Sequence, residues 1–166
     1  LWIGPNGGIY FSDPYYHREY WEPGRKELQD KRGVYYLNPE GKVTRVIDDY
    51  KQPNGLIGTP DGKILYVSDI NDGKIWKYDI QPDGTLANKT FFAPEGSDGM
   101  TIDNQGNVYL TNKVVSVFDK TGKSVARIEV PEQPSNLCFG GKNRDILFIT
   151  ARTSIYTLKM NVKGVQ

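Results

Sequence analysis

The chain has 166 residues, enough for one domain with a sizeable core, and its 21 basic and 20 acidic residues leave a net charge of +1. So even a balance, with Lys and Arg scattered along the chain, argues against nucleic acid or an acidic membrane surface as the partner. A single cysteine, Cys138, excludes an intramolecular disulfide and a cysteine-rich zinc site, and no apolar run approaches the roughly 18 residues of a membrane helix.

The chain opens on Leu1-Trp2-Ile3, without Met, which reads as a strand in the interior of a longer protein and leaves a leader upstream open. From there, short Val/Ile/Tyr/Phe-rich runs alternate with Gly, Asn, Asp and Pro turns, the pattern of an all-β protein. The first strong run is Ile9-Tyr10-Phe11-Ser12-Asp13 behind the turn Pro5-Asn6-Gly7. After the long stretch Pro14 to Arg32 come Val34-Tyr35-Tyr36-Leu37 and Val43-Thr44-Arg45-Val46-Ile47. The same sequence of elements then returns. Asp61-Gly62-Lys63 leads into Ile64-Leu65-Tyr66-Val67-Ser68-Asp69, and Asn104-Gln105-Gly106 leads into Val108-Tyr109-Leu110-Thr111-Asn112. A looser copy runs Lys142-Asn143-Arg144-Asp145 into Ile146-Leu147-Phe148-Ile149-Thr150. Each copy is followed by a third strand, and the earlier ones by a fourth. Four strands per unit of roughly 40 residues is the arithmetic of a β-propeller. A β-sandwich does not require such a period, and a strand-like start favours part of a ring over a closed four-bladed one. Cys138, between Leu137 and Phe139, reads as a small core residue rather than a nucleophile.

In a propeller the first strand of each blade lines the central channel, and its beginning shares a face with the loop joining strands two and three. Aligned on the turn glycines, Pro53-Asn54-Gly55-Leu56 matches Ser97-Asp98-Gly99-Met100, with Asn54 and Asp98 each eight residues before Gly62 and Gly106. Pro134-Ser135-Asn136-Leu137 takes the same frame in the fourth unit, and the first unit places its equivalent two positions before Leu1. Asn-Gly and Asp-Gly are also ordinary turn dipeptides. Their shared register instead suggests amide and carboxylate oxygens converging on the axis, a hard-oxygen set for Ca²⁺ or Mg²⁺ that also tolerates Mn²⁺ or Zn²⁺.

The segments Gln52-Pro53-Asn54-Gly55-Leu56, Asp98-Gly99-Met100-Thr101-Ile102-Asp103, Gly106-Asn107-Val108-Tyr109 and Cys138-Phe139-Gly140-Gly141 resemble the gluconolactonase and regucalcin-like (senescence marker protein) family, and the resemblance runs almost end to end. It implies about four blades of a six-bladed propeller: residues 1–166 would be one partial domain, the C-terminal two-thirds, truncated at the N-terminus. It implies one divalent cation in the channel, Ca²⁺ foremost, held by Asn54 and Asp98, with Asp98 also the general base. The family's first-blade Glu has no counterpart here and a further family Asn would fall just before Leu1, so the fragment alone is expected to be inactive. The implied reaction is hydrolysis of a small-molecule lactone by metal-activated water.

The stretch Pro14 to Arg32 joins strands two and three and should overhang the metal face. Its Tyr16 and His17, with Ser135 and Asn136 of the fourth unit, are the candidate substrate contacts, though His17, the only histidine, reads more as loop surface than as a base. Asp69 and Asn112 end second strands on that face and read as turn caps. Two other functions stay open: a non-enzymatic propeller binding calcium or another ligand, and a related propeller esterase or organophosphatase. Fold alone does not choose among them.

Overall fold

The computed structural model describes residues 1–165, and none of them is helical. The chain forms four antiparallel sheets in sequence. Blade I comprises β1 (Trp2–Ile3), β2 (Ile9–Asp13), β3 (Gly33–Leu37) and β4 (Val43–Ile47); blade II comprises β5 (Pro53–Gly58), β6 (Ile64–Asp69), β7 (Lys74–Ile80) and β8 (Leu86–Ala93). Blade III holds β9 (Met100–Ile102), β10 (Val108–Thr111), β11 (Val115–Phe118) and β12 (Ser124–Ile128), and blade IV holds β13 (Pro134–Gly140), β14 (Ile146–Ala151) and β15 (Ser154–Lys159). Within each blade the strands lie in chain order. The first strands β1, β5, β9 and β13 neighbour one another in that order, as blades around an axis must. This is the β-propeller arrangement expected from the repeat.

Burial follows from stacking. One four-stranded sheet cannot hide both faces, so apolar residues from facing blades share a core. Tyr10 and Tyr36 of blade I, Leu65, Val67 and Phe92 of blade II, and Leu110 and Phe118 of blade III form one cluster; Tyr109, Val117, Leu137 and Ile149 form the other, between blades III and IV. Aromatic pairs bridge the interfaces, with Phe92 centred 6.2 Å from Phe118 and Tyr109 edge-on to Phe139 at 5.3 Å. Trp2 lies where any side chain on Gly58 would sit, since a Cβ there would come within 2.3 Å of the indole.

Cys138 corrects one expectation. It is exposed, while Leu137 and Phe139 beside it are buried. The pleat sends alternate side chains to opposite faces. Leu137 and Phe139 meet blade III, and Cys138 points to the other face of blade IV, which no described residue covers.

At the face opposite the strand-two-to-three loops, residues after β15 double back. Asn104 N donates to Lys163 O at 2.8 Å, Lys163 N to Asn104 Oδ1 at 3.0 Å, and Gly164 N to Arg144 O at 2.8 Å. The segment ties the turns of blades III and IV together.

Candidate functional site

The lead-ins to β5 and β9 are each held by the residue that ends or follows the second strand of the same blade. At the end of β6, Asp69 accepts Lys51 N at 2.8 Å and Gln52 N at 2.9 Å. Its counterpart after β10, Asn112, donates to Gly96 O at 3.1 Å. Gln52 and Gly96 each lie two residues before the channel position, so both caps fix the chain just ahead of Asn54 and Asp98.

A hydroxyl ladder then joins the blades. Ser68 Oγ accepts Ser97 N at 2.8 Å; Ser97 Oγ accepts Thr111 N at 2.9 Å; Thr111 Oγ1 accepts Gly99 N at 2.8 Å and lies 3.0 Å from Ser135 O in blade IV. Ser68, Ser97 and Thr111 are buried. These residues bracket Asp98 on both sides. The sequence carried a sign of them: the second strands end in Ser12-Asp13, Ser68-Asp69 and Thr111-Asn112, a hydroxyl followed by an Asp or Asn.

Asn54 is placed by a break in the ladder. The β5–β6 register shifts between Pro53 and Leu56, so Asn54 and Gly55 bulge out of the pairing, and β13 breaks in the same way at Ser135. A bulge re-aims the side chain it carries. Asn54 is half-buried and Asp98 exposed, and Asn54 Nδ2 donates to Asp98 Oδ1 at 2.6 Å. The carboxylate can only accept, which fixes the amide orientation: NH₂ faces Asp98. The same nitrogen donates to Tyr16 Oη at 2.5 Å. Burial, and secondarily the charge of Asp98, push the Tyr16 phenol above its ordinary pKa.

Gly55 and Gly99 do not serve as turn residues. Both have negative φ, unlike the turn glycines Gly62 and Gly106. What they supply is space between blades. A Cβ on Gly55 would lie 2.5 Å from Asp98 O, and one on Gly99 would lie 2.2 Å from Asn136 Oδ1.

The other candidate residues surround the pair unevenly. Asn136 rests on Gly99, one residue from Asp98. Ser135 turns back to its own blade, 3.2 Å from Thr150 O and Oγ1. His17 is exposed and packs edge-on against Trp21 at 6.1 Å, outside the Asn54–Asp98 contact. The loop of residues 14–32 encloses a recess of about 270 Å³ lined by Tyr15, Tyr16, Trp21, Arg25, Glu27 and Arg32 among others, which shares Tyr16 with the pair.

Whether the pair suits a metal turns on its free donors. Among the described residues, neither Asn54 Oδ1 nor Asp98 Oδ2 takes part in a hydrogen bond. One neutral and one anionic oxygen, each unclaimed and on side chains that touch, are donors of the kind a hard divalent cation takes, as a fraction of the six to eight oxygens of Ca²⁺. No group of three or more His, Cys, Asp or Glu gathers among the described residues. No helix is long and apolar enough to cross a membrane.

The chain is similar to proteins already named. It is 30% identical to the gluconolactonase of Zymomonas mobilis over 99% of its own length and 50% of that protein's. It is 30% identical to the regucalcin of Danio rerio over 71% of the chain and 44% of that protein. A solved gluconolactonase from Xanthomonas campestris superposes with a TM-score of 0.83 at 29% identity, covering 95% of this chain and 55% of the other. The chain thus spans about half the length of the curated relatives it matches. The family pattern described as the SMP-30/Gluconolactonase/LRE-like region matches residues 2–153, and the chain belongs to that family.

Proposed function

We propose that the protein is a lactone hydrolase working with one bound divalent cation, Ca²⁺ foremost, and that Asn54 and Asp98 are two of the ligands. The observation that carries this is the meeting at 2.6 Å of two side chains from equivalent positions of consecutive blades, with an oxygen of each left unclaimed. The name of one relative supplies the reaction class, since a gluconolactonase matches at 30% identity. A small sugar lactone is the substrate class.

Bound there, the cation would supply Lewis acidity toward a carbonyl oxygen and toward water. The chain's own groups do the rest. Asp98, exposed to solvent, accepts a proton from the attacking water as it adds to the lactone carbonyl carbon. The ring C–O bond then breaks, and the leaving alkoxide recovers a proton to give the hydroxy acid. Asn54 contributes a neutral oxygen and so adds no negative charge to oppose the developing oxyanion. The caps at Asp69 and Asn112 and the ladder through Ser97 and Thr111 hold both groups in place before substrate arrives, which is where preorganisation lowers a barrier.

The test is hydrolysis of an aldonolactone by the protein in its full reading frame, followed by acid release, with Ca²⁺, with chelator, and with Asp98→Ala. Turnover that chelator suppresses and Asp98→Ala abolishes supports the reading. Absence of turnover on any lactone with divalent cations present favours a propeller that binds a ligand without hydrolysing it.

A further inference from the structure

We propose that Tyr16 is a positioning residue that sets which end of the Asn54 amide faces a ligand; the inference rests on the metal reading above. The nitrogen and oxygen ends of an Asn side chain are almost the same size, so hydrogen bonds alone decide its orientation. Asn54 Nδ2 has two protons. One goes to Asp98 Oδ1 at 2.6 Å and the other to Tyr16 Oη at 2.5 Å. Both donors are therefore spent inside the protein, and Oδ1 is the atom left over. A cation that draws Asp98 Oδ1 as well as the free Oδ2 would release the amide proton that Oδ1 now accepts. The Tyr16 contact does not depend on that carboxylate, so it can keep the nitrogen turned away from the cation.

The loop that carries Tyr16 is fixed for this task. Two residues of the lead-in to β5 and one of β5 itself hold it. Lys51 O accepts Arg32 Nη1 at 2.8 Å at the loop's end. Gln52 Nε2 donates to Tyr15 O at 2.7 Å at its start, and Asn54 takes Tyr16 itself. Arg32 also lies over the Tyr15 ring at 5.6 Å and pairs with Glu27. The Tyr16 hydroxyl is thus referenced to the same strand as the amide it orients.

The experiment is a titration of the protein in its full reading frame, with Ca²⁺ by calorimetry and with Tb³⁺ by luminescence, as the wild type, Tyr16→Phe, Asn54→Asp and the double variant, each first checked for an unchanged melting temperature. In the Asn54 background Tyr16→Phe should weaken cation binding about three- to tenfold, the worth of one hydrogen bond. In the Asn54→Asp background the same change should cost less than about twofold, because either end of a carboxylate presents oxygen. Equal losses in both backgrounds would show that Tyr16 acts only through loop packing and would overturn the inference while leaving the metal reading intact. So would wild-type affinity in Tyr16→Phe. If the wild type binds neither ion, the metal reading falls and this inference with it.

Discussion

Asn54 and Asp98 lie 44 residues apart, in consecutive blades, and touch side chain to side chain at 2.6 Å. Asp98 is exposed and accepts no other side-chain or backbone donor among the described residues, so its carboxylate contributes little to the fold. Asp98→Asn should therefore leave the melting temperature within about 2 °C, a surface-type effect. Turnover of a lactone should fall by about 10²–10⁴, the usual worth of a positioned base. Parallel melting curves and initial rates decide it: a rate loss matched by unfolding would contradict the separation of roles.

Gly55 and Gly99 follow those two residues and let neighbouring blades approach. Gly55 N also donates to Ser97 O at 3.1 Å, a backbone bond between blades that a side chain would strain. Gly55→Ala must push against the Asp98 carbonyl at 2.5 Å, and Gly99→Ala meets the Asn136 side chain at 2.2 Å with its Cα behind at 2.7 Å. Both should destabilise, by about 1–3 kcal/mol for overpacking, with Gly55→Ala the worse because all three of its nearest atoms are backbone, the first at 2.5 Å, whereas backbone comes no nearer than 2.7 Å at Gly99. Urea denaturation measures the order. Gly99→Ala as the costlier change would refute it.

The blades were legible because their signals are local. Gly7, Gly62 and Gly106 adopt the left-handed conformation at successive strand-one-to-two turns, and glycine there is a sequence mark. Asn54 and Asp98 were legible as a pair because register relative to those glycines carries across blades. What escaped has no local signal. The bulge that turns Asn54 out of the ladder is a property of pairing with β6, not of the tripeptide Pro53-Asn54-Gly55. The same dipeptides read as turns in isolation, and only the neighbouring blade shows that their glycines make room. Tyr16 was one of several aromatics in a loop until its hydroxyl met Asn54, and Cys138 was misjudged because its run gave hydrophobicity without saying which face of β13 has a neighbour.

Strong acid should weaken the surface near the β5 lead-in. Asp72 accepts from Lys74 Nζ at 2.6 Å and pairs with Lys51, and these two ammonium groups hold its carboxyl down at about 2, against an ordinary 3.8. A carboxyl with a lowered folded pKa stabilises the fold above its unfolded value and loses that contribution as pH falls. The Asp72 contribution is thus complete above pH 4 and gone below about 2. Because both lysine partners are exposed to solvent, screening keeps the effect small. Asp72→Asn should flatten the stability profile between those pH values and leave it unchanged at pH 7 to 8 beyond a constant offset. Denaturant midpoints across the range, at low and at 0.5 M added salt, would show the difference shrinking with salt. A steeper acid limb in the variant would reverse the sign and exclude the pairing.

Thr111 offers the sharpest test of the ladder. Its hydroxyl accepts Gly99 N at 2.8 Å, lies 3.0 Å from Ser135 O, and is fully buried. Thr111→Val keeps the shape and removes the hydroxyl, so a buried N–H and a carbonyl lose their partner. Such orphaned groups cost about 1–3 kcal/mol. Thr111→Ser keeps the hydroxyl and gives up one methyl, about 1 kcal/mol in a packed interior. Stability alone barely separates the two variants, but the site does. Gly99 is the residue next to Asp98, and its N–H is the anchor that Thr111 holds. Thr111→Val should let the Ser97–Gly99 segment shift and lower lactone turnover at least tenfold, while Thr111→Ser should retain most of it. Rates measured well below each variant's melting temperature distinguish positioning from unfolding. Equal rates in the two variants would mean that Asp98 is held by its backbone bond to Thr111 O alone, at 3.0 Å, without help from the hydroxyl.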